Sequence, residues 1–234
     1  MFNTSAFTHV GTIRSINQDT ILVNGEILIS GEIYLENQTS CKCFVADGVG
    51  GSKAGEFASN FVLERINLIN DDLGLDIQKE LELINEHLLT ISNSDDKLKG
   101  AATTLTGLVI IEENLRVIHA GDSQLWLLRN NMLLKITKDH VLDDLVSNSP
   151  ITSYFGGNGN YLTLDFNTDI QDFLLNDIFL ICSDGLFKSL TIKQVKEILT
   201  NEETLQKKGK QLLESSLSHG ANDNVSAIII QKIH

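Results

Sequence analysis

The chain reads as an α+β protein in which helices cover stacked sheets, and two observations predict it. Short runs rich in Val, Ile, Leu and aromatic residues follow one another with no room for a helix between several of them, so much of the sheet should be antiparallel and built of hairpins. Helical apolar periodicity appears instead in paired segments between and after those runs. A doubly wound parallel sheet is not expected.

In chain order, strands are predicted around Cys41 to Ala46, Thr104 to Ile111, Leu115 to Ala120, Leu125 to Leu128, Tyr161 to Phe166, Ile178 to Cys182 and Val225 to Ile230, each bounded by turn residues. A hairpin turns at Asn130-Asn131, where Asn tolerates positive φ. Phe57, Ala58, Phe61, Val62, Ile66 and Ile69 form one apolar stripe, and Ile77, Leu81, Ile84, Leu88 and Ile91 form another. These two helices should pair as an antiparallel hairpin. A third helix covers Thr191 to Leu199, and a fourth runs from about Glu202 to Ser218 with Leu205, Leu212, Leu213 and Ser216 on one face. No Pro-rich, Ser-rich or charge-block linker divides the 234 residues, so a single domain over 1–234 is expected.

Composition narrows the function classes. With 42% hydrophobic and 21% charged residues the chain can build a core, and a net charge of -13 argues against a nucleic-acid surface, which needs clustered Lys and Arg. No apolar stretch reaches the roughly eighteen residues of a membrane span, and Met1-Phe2-Asn3-Thr4-Ser5 lacks the basic start of a secretory signal, so a cytoplasmic protein with no membrane association is expected. Cys41, Cys43 and Cys182 lie in apolar strand contexts and read as reduced packing residues. None precedes an arginine at the spacing that thiol chemistry on phosphates needs.

The chemistry lies in carboxylates. Four aspartates beside Gly, Ser or Asn sit at the edges of apolar runs: Asp47-Gly48, Gly121-Asp122-Ser123, Ser183-Asp184-Gly185 and Asp223-Asn224. If they converge, each pair about 4 Å apart repels by roughly 4 kcal/mol at an effective dielectric near 20, so the cluster must take up protons or hold cations. An all-oxygen set suits Mg2+ or Mn2+, whereas zinc would want Cys or His partners. A hydrolytic metal centre follows. Gly50-Gly51-Ser52-Lys53 lacks the order of a P-loop, and Asp223-Asn224 lacks the other positions of a calcium loop.

Gly11-x-x-Arg14-x-x-Asn17-x-Asp19, Asp47-Gly48-x-Gly50-Gly51, Gly100-Ala101-Ala102-Thr103-Thr104, Gly121-Asp122-Ser123, Asp139-His140, Ser183-Asp184-Gly185 and Asp223-Asn224-Val225-Ser226 occur in one order along nearly the whole chain. In that order they resemble the metal-dependent Ser/Thr protein phosphatases of type 2C, in particular short bacterial-type members. Singly, Asp-Gly and Asp-Asn are common turn sequences. The resemblance implies two stacked central antiparallel sheets flanked by pairs of helices, an α-β-β-α sandwich. It implies that Asp47 bridges two metals, that the Gly48 carbonyl completes one shell, and that Asp184 and Asp223 bind the same pair. Arg14 becomes the phosphate clamp, since a guanidinium holds two phosphate oxygens at once. Asp19 becomes a supporting carboxylate that orients water, and Gln18 stands where the family often has Glu. Asp122 reads either as the ligand of a third, weaker ion shared with Asp184 or as a plain turn residue. Glycines 48, 50 and 51 would let the backbone approach the ions and enter a helix at Ser52.

Several positions depart from that pattern. Val49 stands where eukaryotic members carry a His suggested as general acid, which leaves the leaving-group acid unassigned. Gln124 replaces an Arg that often follows Gly-Asp-Ser, Ser153 replaces an Arg frequent after Ile-Thr, and the flap after His140 is short. His140 by itself reads as structural. A trimmed flap predicts a more open cleft.

The function expected is a Mn2+- or Mg2+-dependent protein phosphatase that hydrolyses phosphoserine and phosphothreonine with a water activated by two metals. Its partners would be phosphorylated proteins and a cognate Ser/Thr kinase, and it would act as a monomer. Two alternatives stand beside it: a catalytically silent relative that binds phosphoproteins, and a phosphomonoesterase for small molecules.

Overall fold

The computed structural model describes residues 1–49, 54–69, 76–111, 114–146, 149–166 and 173–233. One sheet has six strands in the order β10-β9-β12-β13-β1-β4, comprising β1 (Phe2–His9), β4 (Gly31–Gln38), β9 (Gln124–Arg129), β10 (Met132–Lys135), β12 (Ile178–Cys182) and β13 (Val225–Lys232). The second is centred on β5 (Cys41–Val49), which pairs with β2 (Asp19–Val23) on one side and with β7 (Leu105–Ile111) on the other. Beyond them lie β3 (Glu26–Leu28) and β8 (Asn114–Ala120), while short β6 (Ala102–Thr103) and β11 (Phe155–Gly156) extend the end of β5. Every strand pair in both sheets is antiparallel among the described residues.

Side-chain alternation turns these sheets into layers. In β5, Cys41, Cys43 and Val45 point toward the other sheet, where Ile228 and Ile230 of β13 and Phe179 and Ile181 of β12 meet them. The alternate residues Phe44 and Ala46 face away, onto α1 (Ala54–Leu68) and α2 (Ile77–Ser94). On the far side, Ala227, Ile229, Leu180 and Cys182 pack under α3 (Asp184–Ser189), α4 (Ile192–Thr200) and α5 (Leu205–Ser218). The result is the four-layer α-β-β-α order. Both faces of each central strand are buried, which is why β12 reads Ile-Phe-Leu-Ile-Cys without a polar break.

The predicted helices and most strands are present, with corrections. Tyr161 to Phe166 is not a strand: Leu162, Leu164 and Phe166 do pack on the α1–α2 layer, but the backbone of Thr163 bonds with the Ser153 hydroxyl in both directions. Among the described residues its one strand-type pairing is the isolated His119–Asp165 bridge. Strands β1 to β4 lie where no strand is predicted, because β1 buries Thr4, Ser5 and Thr8 and β4 is half exposed, so neither shows an apolar run. Short helix α3 is likewise unanticipated. Asn24-Gly25 turns β2 into β3, and Asn130-Asn131 turns β9 into β10, all four with positive φ. Gly50, Gly51 and the expected helix start at Ser52 lie outside the described residues. The three cysteines are buried and unbridged.

Candidate metal centre

The strand ends that carry the aspartates meet at one edge of the sandwich. Asp19, which opens β2, lies opposite Asp47 near the end of β5. In the other sheet Cys182, the last residue of β12, lies opposite Gln124 at the start of β9 and Ala227 near the start of β13. That register delivers Asp122 before β9, Asp184 after β12 and Asp223 before β13 to the same place. The antiparallel order, with every relevant turn at one end, makes the cluster.

Backbone bonds fix each carrier. The Asp47 amide donates to the Thr104 hydroxyl at 3.0 Å, and its carbonyl accepts from the Thr104 amide at 2.9 Å and the Thr103 hydroxyl at 3.0 Å. Thr104 also bonds Ser123 at 2.9 Å, so the Gly-Ala-Ala-Thr-Thr segment ties the Asp47 strand to the Asp122 turn. Asn224 clamps the N-terminal loop: its amide donates to the carbonyls of Val10 and Ile16, and its oxygen accepts from the Gln18 amide. The Gln18 carbonyl in turn accepts from Gly48 N at 3.2 Å, holding the Gly48 peptide beside β2. Two glycines permit the closest approaches. A Cβ on Gly11, whose φ is +80°, would strike the Asp223 carbonyl, and one on Gly185 would strike that of Asn224.

Asp19 is fully buried, and its Oδ2 accepts from the hydroxyls of Ser183 at 2.8 Å and Ser226 at 2.7 Å. Its Oδ1 is buried with no partner. Burial raises the Asp19 pKa to about 6 against the two serine bonds, with the charges of Asp184 and Asp223 adding to the rise. Asp47 is pushed well up by burial and then by the charges of Asp19, Asp184, Asp122 and Asp223. Asp122 is raised to about 7 by burial and by Asp184. This is the mutual repulsion expected of convergent carboxylates.

Two cations already answer part of it. Lys188 Nζ lies 2.6 Å from Asp184 Oδ2 and 2.8 Å from Asp223 Oδ2, while Arg14 Nε lies 2.9 Å from Asp223 Oδ1. Burial would raise the Asp223 pKa, but the bond and charge of Lys188 and the charge of Arg14 outweigh it, so it ends lowered. Asp184 remains raised, burial outweighing Lys188. Lys188 was not anticipated from the sequence. Its signal was the i, i+4 spacing from Asp184 on a helix that opens at the Ser-Asp-Gly motif.

The donors suit a hard divalent cation: they are all carboxylate, one buried oxygen lacks a partner, and an ammonium already stands in as a cation between two of them. As the side chains stand, no three acidic, imidazole or thiol groups among the described residues are poised to hold an ion. The cluster opens onto a cleft of about 1060 Å³ walled by Arg14, Asp122, Asp139, Asp184, Lys188 and Asp223. Ile13 and the short flap residues Leu142, Leu145 and Val146 are exposed beside it. Gln124, a departure from the family pattern, and His140, which matches it, are both tied into local bonds. Gln124 accepts from the Trp126 indole and donates to Asp139, and the His140 ring takes the Gly121 amide at 3.3 Å and bonds Asp165 at 3.0 Å.

Layered sheets with aspartates gathered at their shared edge define a class of metal-dependent phosphatase. Residues 20–146, over half of the chain, match the family model Protein phosphatase 2C, and the chain belongs to that family. It is 25% identical to the serine/threonine phosphatase stp of Listeria monocytogenes serotype 4b, over 96% of this chain and 94% of that protein. It is 26% identical to the protein phosphatase PhpP of Streptococcus pneumoniae strain D39, over 97% and 96%. Its fold is that of the S. agalactiae serine/threonine phosphatase, with a TM-score of 0.81 at 24% identity and full coverage of both chains. The Mycobacterium tuberculosis phosphatase PstP/Ppp is similar at a TM-score of 0.78 and 25% identity, again with full coverage.

Proposed function

We infer that the protein is a metal-dependent protein phosphatase that hydrolyses phosphoserine and phosphothreonine in proteins. The observation that carries this reading is the convergence of Asp19, Asp47, Asp122, Asp184 and Asp223, from five separate strand ends, beside an arginine that faces an open cleft. A structural salt-bridge network would not leave a buried carboxylate oxygen unpaired or hold Asp47 against four like charges.

On this reading Asp47, Asp184, Asp223 and the Gly48 carbonyl would hold two Mn2+ or Mg2+ ions, and Asp122 with Asp184 a third, weaker one. Bound there, the pair lowers the pKa of a water and neutralises charge on the phosphoryl group. The chain supplies the rest. Arg14 lies at the cleft wall, half exposed, and its guanidinium can orient two phosphate oxygens while remaining charged. Asp19 holds Ser183 at the start of α3 and Ser226 in β13 and, through its free oxygen, would orient a water of the site. Val49 carries no proton to give, so the leaving oxygen takes its proton from solvent in the open cleft. The short flap leaves the rim broad, which suits protein substrates of varied sequence and a cognate kinase that makes them. No helix among the described residues is long and apolar enough to cross a membrane. On the same reading the protein acts in the cytoplasm, as a monomer, with one domain over 1–234.

The test is turnover of para-nitrophenyl phosphate and of a phosphothreonine peptide with and without Mn2+. Hydrolysis of both that disappears with chelation and in Asp47→Asn supports the reading. A protein that binds the peptide but never turns it over is a silent binding module instead.

A further inference from the structure

We propose that Lys188 is a tethered cation that competes with the catalytic metals for Asp184 and Asp223, so that metal entry must displace its ammonium and the site loads at higher free divalent ion than the carboxylates alone would require. This rests on the metal-centre reading above and concerns how that centre fills.

The geometry is one of direct occupation. Lys188 Nζ takes Asp184 Oδ2 and Asp223 Oδ2 at once, at 2.6 and 2.8 Å. The other oxygen of Asp223 is bonded by Arg14 at 2.9 Å and by the Asn224 amide at 3.0 Å, so both Asp223 oxygens already hold a cationic partner while Lys188 is seated. A divalent ion at about 2.0–2.6 Å from these carboxylates would lie within a few ångströms of the ammonium, and like charges at that separation repel. Seating of the ammonium and of the metal therefore oppose each other.

The ammonium is presented rather than merely available. Lys188 lies one turn after Asp184 on α3, a helix held by the buried Leu186 and by Phe187 against the Trp126 ring at 5.0 Å. One short stem therefore returns the charge to the same carboxylate each time, an intramolecular ligand at high effective concentration. Burying Asp184 and Asp223 near Asp47 without metal would otherwise leave them uncompensated. Lys188 thus steadies the metal-free protein and opposes loading, and linkage requires both effects from the same contacts.

Isothermal titration of Mn2+ into the full chain reads the competition directly. Lys188→Met should bind Mn2+ about tenfold or more tightly than wild type, within the usual range for two ligands coupled through one site, while Lys188→Arg, which keeps the cation, should stay near wild type. Melting in chelator should fall for Lys188→Met, and the rise on adding Mn2+ should be larger than in wild type. If Met does not fold, Lys188→Gln gives the same comparison. An unchanged or weaker Mn2+ affinity in the folded neutral variants overturns the proposal while leaving the metal centre intact. Absence of Mn2+ binding in wild type and variants alike overturns the metal centre itself, and the proposal with it.

Discussion

Asp19 and Asp47 stand directly opposite each other in the β2–β5 ladder, Asp19 buried and Asp47 partly so, and only Asp19 has hydroxyl donors to share its charge. Cross-strand neighbours of like charge destabilise a sheet. The pair therefore costs the fold stability, and the variants below separate that cost from the role proposed for the two carboxylates.

Asp47→Asn should remove the charge that four neighbouring carboxylates oppose. Because the folded pKa lies above the unfolded one, the ionised group costs stability at pH 7, so the metal-free melting temperature should rise by a few degrees. Turnover should fall by more than the roughly 10–100-fold that loss of a supporting partner costs a metal site. Thermal melts in chelator and steady-state kinetics in saturating Mn2+ read the two effects, and near-normal turnover would remove Asp47 from the centre.

Asp19→Ala leaves the hydroxyls of Ser183 and Ser226 without their acceptor and should weaken Mn2+ binding about 10–100-fold. Asp19→Asn keeps an oxygen there and should lose less. Calorimetric Mn2+ affinities that rank the two variants in the opposite order would show that the Asp19 charge, and not its acceptor role, matters.

Arg14 is half exposed, and its ion pair with Asp223 is at the surface of the cleft, so Arg14→Ala should change stability by less than about 1 kcal/mol. Its effect should fall on the reaction instead. If its guanidinium clamps the phosphoryl group as proposed, its loss should lower kcat/KM on a phosphothreonine peptide by about 10²–10³-fold, with Lys restoring only part. Equal kinetics in all three proteins would place the phosphate elsewhere.

Asp122→Ala should leave tight Mn2+ binding in place and blunt the response of activity only in the upper part of a Mn2+ titration, because the ion it shares with Asp184 would have few protein ligands. A titration curve superimposable on wild type would make Asp122 a turn residue alone.

His119 predicts a pH effect independent of metal. It is buried, bonded to Thr106 and to the Lys138 carbonyl, and burial lowers its pKa from 6.5 to about 4. Below pH 6.5 the unfolded chain takes a proton that the folded ring refuses, so this contribution is full above 6.5 and is lost as pH falls toward 4, about 3 kcal/mol in all. Asp19 and Asp122, whose pKa values are raised, act in the opposite sense over the same range. Urea denaturation of wild type and His119→Asn in chelator at pH 7 and pH 4.5 isolates the histidine: the difference between them should narrow by about 2–3 kcal/mol at the lower pH.

How much was legible beforehand depended on burial geometry. Strands β5, β7, β12 and β13 are apolar on both faces and were read from composition, as were the α1, α2, α4 and α5 stripes. Strand β1 was invisible because Thr8 hides its polarity in a hydrogen bond to Ser226, 218 residues away. The Tyr161 to Phe166 segment misled for the opposite reason: its alternation reports packing, while its backbone meets a serine hydroxyl at Thr163 and strand β8 only at Asp165.

The sequence by itself determined the chemistry available to the protein. Carboxylates next to turn residues at strand ends, an Arg in a fixed string, and no cysteine or histidine set for zinc are properties of residue type and local order. Which carboxylates share one field was decided by the tertiary structure, since β2–β5 and β12–β13 pairing joins segments that local propensity never relates. The seat of Lys188 was decided there too: i, i+4 spacing brings it to Asp184, but only β13 brings Asp223 to the same ammonium, because electrostatic partners are chosen by distance in space and not along the chain.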